Sequence, residues 1–111
     1  MFGLFGSTKS SNDLTAGEFK KKIKDDRNGV ILDVRTDGEF RMGHIKGAVN
    51  IDLLQANFSS RLATLDKSKT YYVYCRSGNR SAKACRLLKS IGCEALNLEG
   101  GLGNWDGNIV K

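Results

Sequence analysis

The spacing of apolar residues changes along the chain between two patterns, one typical of strands and one typical of helices. Continuous apolar runs at residues 30–34, 48–51, 71–74 and 95–98 predict strands that are buried on both faces of a sheet. Apolar residues at helical spacing separate the last three runs, first at Leu54, Phe58, Leu62 and Leu65 and then at Ala84, Leu87, Leu88 and Ile91. Strands that alternate with helices predict an α/β fold, a three-layer sandwich in which helices cover both faces of a parallel sheet.

A helix is also predicted before the first strand. Thr15 and Glu18 have the spacing of a capping box, and Leu14 and Phe19 have the spacing of a hydrophobic staple around it. We therefore expect an amphipathic helix that begins at Thr15 and ends by Gly29.

The length of 111 residues leaves room for one domain, to which we assign residues 13–111. Residues 1–12 are rich in Gly, Ser and Lys after the first few positions, and we expect a flexible lead-in there that includes an edge strand. Because 40% of the residues are hydrophobic and 27% are charged, the chain is expected to fold unaided.

Charge and cysteine content narrow the range of partners and compartments. The net charge of +6 favours anionic partners, which include small anions, nucleic acid and acidic protein surfaces. Three cysteines without paired spacing predict neither a disulfide framework nor a metal site, so a reducing cytoplasm is expected. The opening residues lack the basic region of a signal peptide, and no segment has the length of about 18 apolar residues that spans a bilayer. We expect a soluble, cytoplasmic protein.

Candidate chemistry is concentrated at Cys75, which follows the apolar run 71–74 and precedes a polar loop that opens a helix. Ligands bind at the carboxyl ends of parallel strands. Backbone N–H groups of the loop and the helix N-terminus would form a cradle for an anion there and would lower the thiol pKa from about 8.5. The alternative, an inert buried cysteine, does not explain the six polar or glycine residues that follow. Cys75 is therefore the predicted nucleophile.

The loop itself is predicted to bind the substrate. Gly78 permits a tight turn, and Asn79 tolerates a positive φ angle. The two arginines supply positive charge for an anionic donor, although either of them could instead be a solvated surface residue. The predicted substrate-binding residues are Arg76, Ser77, Gly78, Asn79, Arg80 and Ser81.

Four blocks of the chain resemble the rhodanese domain family. The strand-end motif is Asp33-Val34-Arg35 with Glu39-Phe40, the second motif is residues 43–51, the active-site loop is residues 75–81, and the closing segment is Gly100-Gly101 followed by Trp105. The likeness spans residues 13–106. Lys46 departs from the family, which often has proline there, but this position is outside the predicted site.

The resemblance implies a parallel sheet of about five strands and a sulfurtransferase activity of the thiosulfate:cyanide type. Sulfane sulfur would pass from thiosulfate or a persulfide, through a persulfide on Cys75, to cyanide, a thiol or an acceptor protein. It implies no metal and no organic cofactor. A monomer or a weak dimer is expected.

Three other functions are compatible with the residues. A cysteine phosphatase or arsenate reductase would use a similar cradle, but tyrosine phosphatases have five residues between cysteine and arginine, whereas Cys75 and Arg80 have four between them. The chain could also be a non-enzymatic binding module or a persulfide carrier. Nucleic-acid binding is not expected, since the basic residues are not interleaved with aromatic ones.

Other polar and reactive residues are expected to serve the structure. His44 is not needed as a base by a thiolate nucleophile, and Asp33 and Arg35 are expected to orient backbone at the strand end. Glu39 is expected to pair with an arginine. Packing or surface roles are expected for Cys85, Cys93 and Trp105.

Overall fold

The computed structural model describes residues 12–111, which contain four α-helices and seven strands. The helices are α1 (Ala16–Asp25), α2 (Asp37–Met42), α3 (Phe58–Ala63) and α4 (Asn79–Ser90), and a 3₁₀ helix lies at Gly101–Asn104. The strands are β1 (Asp13–Leu14), β2 (Gly29–Asp33), β3 (His44–Ile45), β4 (Val49–Asn50), β5 (Thr70–Tyr74), β6 (Glu94–Leu98) and β7 (Ile109–Val110).

Five of the strands form one parallel sheet in the order β1-β6-β5-β2-β4, which confirms the predicted fold class. The central strand β5 pairs with β2 and β6, and Asp33 of β2 lies opposite Tyr74 of β5. The carboxyl ends of these strands therefore meet at one edge of the sheet, directly before Cys75. A separate antiparallel pair, β3 with β7, was not predicted, because neither of these two-residue strands lies in one of the four apolar runs.

Helices lie on both faces of the sheet and enclose two separate cores. Alternate side chains of β5 point to opposite faces, as the pleat of a strand requires. Tyr71 and Val73 pack with α3 and α4, while Tyr72 and Tyr74 pack with Phe19 of α1. The α3–α4 face is the more completely buried of the two.

The N-terminus of α1 confirms the predicted capping box. The Glu18 backbone N–H donates to the Thr15 hydroxyl at 3.2 Å, and the Thr15 N–H donates to the Glu18 carboxylate at 2.8 Å. Leu14 and the fully buried Phe19 join the same core, as the staple requires. Local interactions within five residues therefore determine where this helix begins.

The helical pattern that starts at Leu54 is wrong in its first turn. α3 begins only at Phe58, and Leu54 is 69% exposed. The Asp52 carboxylate accepts a hydrogen bond from the Leu54 N–H at 2.8 Å, and the backbone carbonyl of Asp52 accepts one from the Gln55 N–H. An aspartate that bonds the backbone two residues on stabilises a turn rather than a helix.

Most of the predicted lead-in, with its edge strand, lies outside the described residues. One of the two edge strands of the described sheet is β1, and it begins one residue after that segment. None of the helices in residues 12–111 has the length and hydropathy needed to cross a bilayer.

Candidate active site

Cys75 lies at the end of the central strand, with its sulfur inside the turn that leads into α4. The residue is fully buried. The Gly78 backbone N–H donates a hydrogen bond to Sγ at 3.0 Å, and the Ser81 hydroxyl donates another at 3.4 Å. Since both donors lie in or directly before the first turn of α4, where N–H groups have no partner within the helix, the sulfur occupies a site suited to an anion.

The pKa of Cys75 is set by two opposing effects. Burial is the larger single effect and raises the pKa, but hydrogen bonds from the Ser81 hydroxyl and from the backbone of Ser81, Gly78 and Ser77 together lower it below its usual range. The sequence predicts that backbone N–H groups of the loop and the helix N-terminus lower this pKa. In the structure the loop hydrogen bonds account for it.

Gly78 makes the turn around the sulfur possible. Its φ is +101°, in the left-handed region, and a Cβ there would lie 3.2 Å from the Gly100 backbone nitrogen. Asn79, which could tolerate a positive φ, does not have one, since within residues 12–111 only glycines have positive φ. Asn79 instead begins α4. A glycine immediately before it has already made the left-handed turn, so Asn79 can be helical.

The Gly100–Gly101 segment packs against the backbone of the active-site loop. This role was not predicted from the sequence. The Leu102 N–H donates to the Cys75 carbonyl at 2.9 Å. A Cβ on Gly101 would lie 2.5 Å from the Arg76 carbonyl oxygen and 2.6 Å from that of Cys75, and its φ is +63°. The paired glycines in the sequence were the available signal for such a close approach of two backbones.

The two arginines of the loop have different environments. Arg80 donates to both carboxylate oxygens of Glu39, at 2.7 and 3.0 Å, so Glu39 has the arginine partner that was expected. Its hydrogen bond to Arg80 is the largest of the effects that lower the pKa of Glu39 to about 2. Arg76 is exposed, and its side chain makes no hydrogen bond or ion pair within the described part of the chain. Arg76 is therefore the loop cation without a carboxylate partner.

Glu39 is presented by a helix whose start was not predicted. α2 begins with a capping box in which the Glu39 N–H donates to the Thr36 hydroxyl at 3.2 Å and the Thr36 N–H donates to the Glu39 carboxylate at 3.0 Å. Thr36 and Glu39 have the same spacing as Thr15 and Glu18, and this signal could have identified the helix from sequence.

Asp33 and Arg35 brace the strand end beside the loop. The Arg35 side chain donates to Asp33 at 2.7 Å and to the Gly43 carbonyl at 2.7 Å, and both residues are buried. Asn50, which the sequence analysis did not select, donates to the carbonyls of Asp33 and Arg35 at 3.0 Å each. These contacts hold the end of β2 in place next to Cys75.

The remaining residues have packing contacts. His44 donates its Nδ1–H to the Phe40 carbonyl at 2.8 Å and stacks on the Phe40 ring. Trp105 meets the Phe19 ring edge to face. Cys85 and Cys93 are buried free thiols in the α3–α4 core.

A cavity of about 470 Å³ opens on the flank of the loop, between α4 and the ends of β6 and β1. Asn97 lines it and donates to Asp13 at 2.9 Å and to the Gly78 carbonyl at 3.4 Å. Within residues 12–111, no group of three or more His, Cys, Asp or Glu side chains is placed to hold a metal ion.

The fold and the site together define a class of protein: a three-layer α/β domain that presents one thiol, surrounded by hydrogen-bond donors, at the end of its central parallel strand. Residues 15–108 match the model of the rhodanese-like domain, and the chain belongs to that family.

Individual relatives agree with this assignment. The chain is 37% identical over 95 residues to the putative sulfurtransferase YtwF of Bacillus subtilis, a match that covers 86% of this chain and 90% of the relative. It is 34% identical over 71 residues to the thiosulfate sulfurtransferase PspE of Escherichia coli, covering 64% and 68%. The crystal structure of a rhodanese-like domain protein from Staphylococcus aureus superposes with a TM-score of 0.76 at 35% identity, covering 87% and 93%.

Proposed function

We propose that this protein is a sulfurtransferase that carries sulfane sulfur as a persulfide on Cys75. The donor is thiosulfate or a persulfide, and the acceptor is cyanide, a thiol or a protein. The observation that carries the proposal is the environment of the Cys75 sulfur. Cys75 is fully buried, and its Sγ accepts hydrogen bonds from the Gly78 N–H and the Ser81 hydroxyl. The pKa of this thiol is lowered. A thiolate is the reactive form of cysteine.

In the first step the Cys75 thiolate attacks the outer sulfur of thiosulfate. A new S–S bond forms to Cys75, the S–S bond of thiosulfate breaks, and its electron pair leaves with sulfite. In the second step cyanide attacks the terminal sulfur of the persulfide. Thiocyanate leaves, and the electron pair of the broken S–S bond returns to Cys75 as the thiolate.

Hydrogen-bond donors around Sγ have the same task in both steps. The N–H groups of the loop from Arg76 to Ser81 stabilise negative charge on Cys75 and on the terminal sulfur, as an oxyanion hole does for oxygen. Cys75 has no exposed surface, so the donor reaches Sγ only when the covering atoms move aside. Arg76 and Ser77, which directly follow Cys75, are the exposed residues nearest to it along the loop.

The two arginines have separate roles in this proposal. Arg76, which has no carboxylate partner within residues 12–111, attracts the anionic donor. Arg80 is engaged by both oxygens of Glu39 and positions the first turn of α4, so it acts on the donor through the loop. Asn79 contributes as the first residue of that helix.

Intact-protein mass spectrometry after incubation with thiosulfate tests the proposal. We expect a gain of one sulfur atom, about 32 Da, that cyanide reverses, and no gain in Cys75→Ser. Cys85→Ser is the matched control, since it removes an equally buried thiol from the same core and should load sulfur as the wild type does. Loading that persists in Cys75→Ser, or that disappears in Cys85→Ser, would refute the assignment of Cys75.

The same experiment separates the alternatives. A protein that gains sulfur but turns over cyanide very slowly is a persulfide carrier, and one that gains no sulfur from thiosulfate or from a persulfide is a binding module. An oxyanion-processing enzyme is disfavoured because the guanidinium of Arg80, which would have to bind the oxyanion, already binds Glu39 at two positions. Phosphatase and arsenate assays on the wild type are expected to remain at background.

A further inference from the structure

The face of the sheet opposite α3 and α4 is incompletely covered. α1 and the β3–β7 pair lie over it and leave between them a groove of about 570 Å³. Ile31 of β2 is half-buried within this groove, with Ile23 of α1 and Ile45 of β3 beside it and the Trp105 ring as a further wall. The groove therefore has an apolar floor with an aromatic wall.

Three lysines and no carboxylate line this groove among residues 12–111. Lys24 and Lys46 are exposed, and the side chain of neither makes an ion pair or a hydrogen bond within the described residues. Lys20 lies 5.7 Å from the Trp105 ring centre and pairs with Asp106 at 2.8 Å, where both side chains are largely exposed. An occupant that brought carboxylates to Lys24 and Lys46 would form ion pairs that the free chain lacks.

Trp105, which lines the groove, has an unsatisfied polar atom among the described residues. Its indole Nε1 is buried and has no hydrogen-bond acceptor among the described residues. The atom lies beside Gly107, where a Cβ would be only 3.0 Å from it. A buried donor without a partner destabilises the chain, so this part of the groove wall is not optimised for the stability of the free protein.

We propose that this groove binds an acidic segment of a partner protein, with one apolar side chain inserted over Ile31 and flanking carboxylates at Lys24 and Lys46. The concave apolar floor accepts a side chain, and the lysines match the charge of the segment. The proposal does not depend on the sulfur chemistry proposed for Cys75, because none of the residues that line the groove belongs to the active-site loop.

Two other occupants fit the charge less well. Residues 1–11 of this chain contain Phe2, Leu4 and Phe5 but no acidic residue, so they cannot pair with the lysines. A second copy of the chain carries a net charge of +6 and would be repelled by the same surface.

Trp105 is the single tryptophan of the protein, so its fluorescence reports directly on the groove. The probe is a short peptide of alternating Asp and Glu residues around one central leucine, titrated into the full chain. We expect a saturable change in Trp105 emission that weakens as salt is added. A peptide with Asn and Gln in place of the acids, and one with serine in place of leucine, should each bind at least about tenfold more weakly.

Charge reversal of single lysines tests the groove, and a lysine of α1 outside the groove is the matched control. Lys24→Glu should weaken binding of the acidic peptide by about tenfold, and Lys46→Glu should do the same. Lys21→Glu makes the same charge change on α1 at a residue that does not line the groove, and it should stay within about twofold of the wild type. All three lysines are exposed, so circular dichroism is expected to show an unchanged fold.

Three results would overturn the proposal. The first is no saturable response to the acidic peptide, or an equal response to the amide peptide. The second is a change in Trp105 emission of the peptide-free full chain when Phe2, Leu4 and Phe5 are replaced by serine, which would assign the groove to the chain's own N-terminus. The third is emission that depends on protein concentration without peptide, which would assign it to a second copy.

Discussion

Cys75 and Cys85 are two free thiols of the same core, ten residues apart and exposed by 0% and 1%, yet their pKa values shift in opposite directions. Burial is the first cause in both and raises both values. It raises the pKa of Cys85 to about 12, with a further contribution from Asp13, whereas hydrogen bonds from Ser81, Gly78 and Ser77 bring that of Cys75 below its usual range. Burial therefore does not decide which cysteine has the lower pKa; hydrogen-bond donors do.

The position of each thiol relative to α4 explains the difference. Cys75 precedes the helix, where the Gly78 N–H and the Ser81 hydroxyl are directed at its sulfur. Cys85 lies within the helix, where backbone N–H groups donate to carbonyls of the preceding turn and have nothing left for a side chain. The first turn of α4 therefore has free hydrogen-bond donors for a sulfur, and the turns that follow do not.

The largest effect on the pKa difference between Cys75 and Cys85 is expected when the active-site loop is displaced by a side chain at Gly101. In Gly101→Ala the new Cβ would meet the carbonyls of Cys75 and Arg76 at 2.6 Å or less, at a φ of +63°. We expect a loss of about 2–4 kcal/mol in the free energy of unfolding and slower sulfur loading of Cys75. Urea denaturation and mass spectrometry measure the two effects.

Gly103→Ala is the control for that change, because its Cβ would lie 4.0 Å from the Arg76 carbonyl oxygen, an ordinary contact in the same 3₁₀ helix. It should unfold within about 0.5 kcal/mol of the wild type. If the two alanine variants were equally stable, the close approach at Gly101 would have no role in holding the loop.

Removing a single hydrogen-bond donor from the Cys75 sulfur should make the pKa of Cys75 more like that of Cys85. In Ser81→Ala the hydroxyl that donates to Sγ at 3.4 Å is lost, so we expect the pKa of Cys75 to rise. A smaller fraction of thiolate at neutral pH should slow alkylation of Cys75 by iodoacetamide by up to about tenfold, and the midpoint of its pH–rate profile should move to higher pH.

Peptide mass spectrometry of the alkylated protein reads both thiols in one sample. Cys85 is the internal reference, and its slow alkylation should be the same in Ser81→Ala as in the wild type. Ser90→Ala, which removes an exposed hydroxyl from the other end of α4, should leave both rates unchanged. An unshifted profile for Cys75 in Ser81→Ala would assign the lowered pKa to the backbone donors alone.

The smallest expected effect concerns the ion pair that positions the first turn of α4. Because the pKa of Glu39 is about 2 in the folded protein and usually 4.5, the stabilisation is complete above about pH 4.5 and is lost as the pH falls toward 2. Both side chains are about a quarter exposed, so we expect solvent to reduce the contribution to about 1–2 kcal/mol.

Acid titration of stability tests this pair. Glu39→Gln should unfold more easily than the wild type at neutral pH, and the difference should shrink below pH 4.5 as the wild-type carboxylate is protonated. Asp37→Asn removes an exposed carboxylate from the same helix, where it pairs with Arg41, and its effect should be within about 0.5 kcal/mol. A constant difference between Glu39→Gln and wild type across that pH range would exclude an ionic contribution.

Much of the fold could be predicted from sequence, because its signals are local. The four apolar runs correspond to β2, β4, β5 and β6, and the capping box at Thr15 defines the start of α1. The placement of Cys75 between a strand and a helix was equally visible. Failures arose where a local signal was weak or misleading, as in the turn at Asp52 and in the two-residue strands β3 and β7.

By itself, then, the sequence determined the alternation of strands and helices and the residue that heads the loop, since hydrophobic period and capping act within a few residues of the chain. Tertiary structure alone decided that Arg80 binds Glu39, 41 residues away, and that Gly101 supports the backbone of Cys75 and Arg76. It also decided the pKa contrast between Cys75 and Cys85, because a pKa depends on the donors and charges that folding brings to the sulfur, and these come from the whole chain.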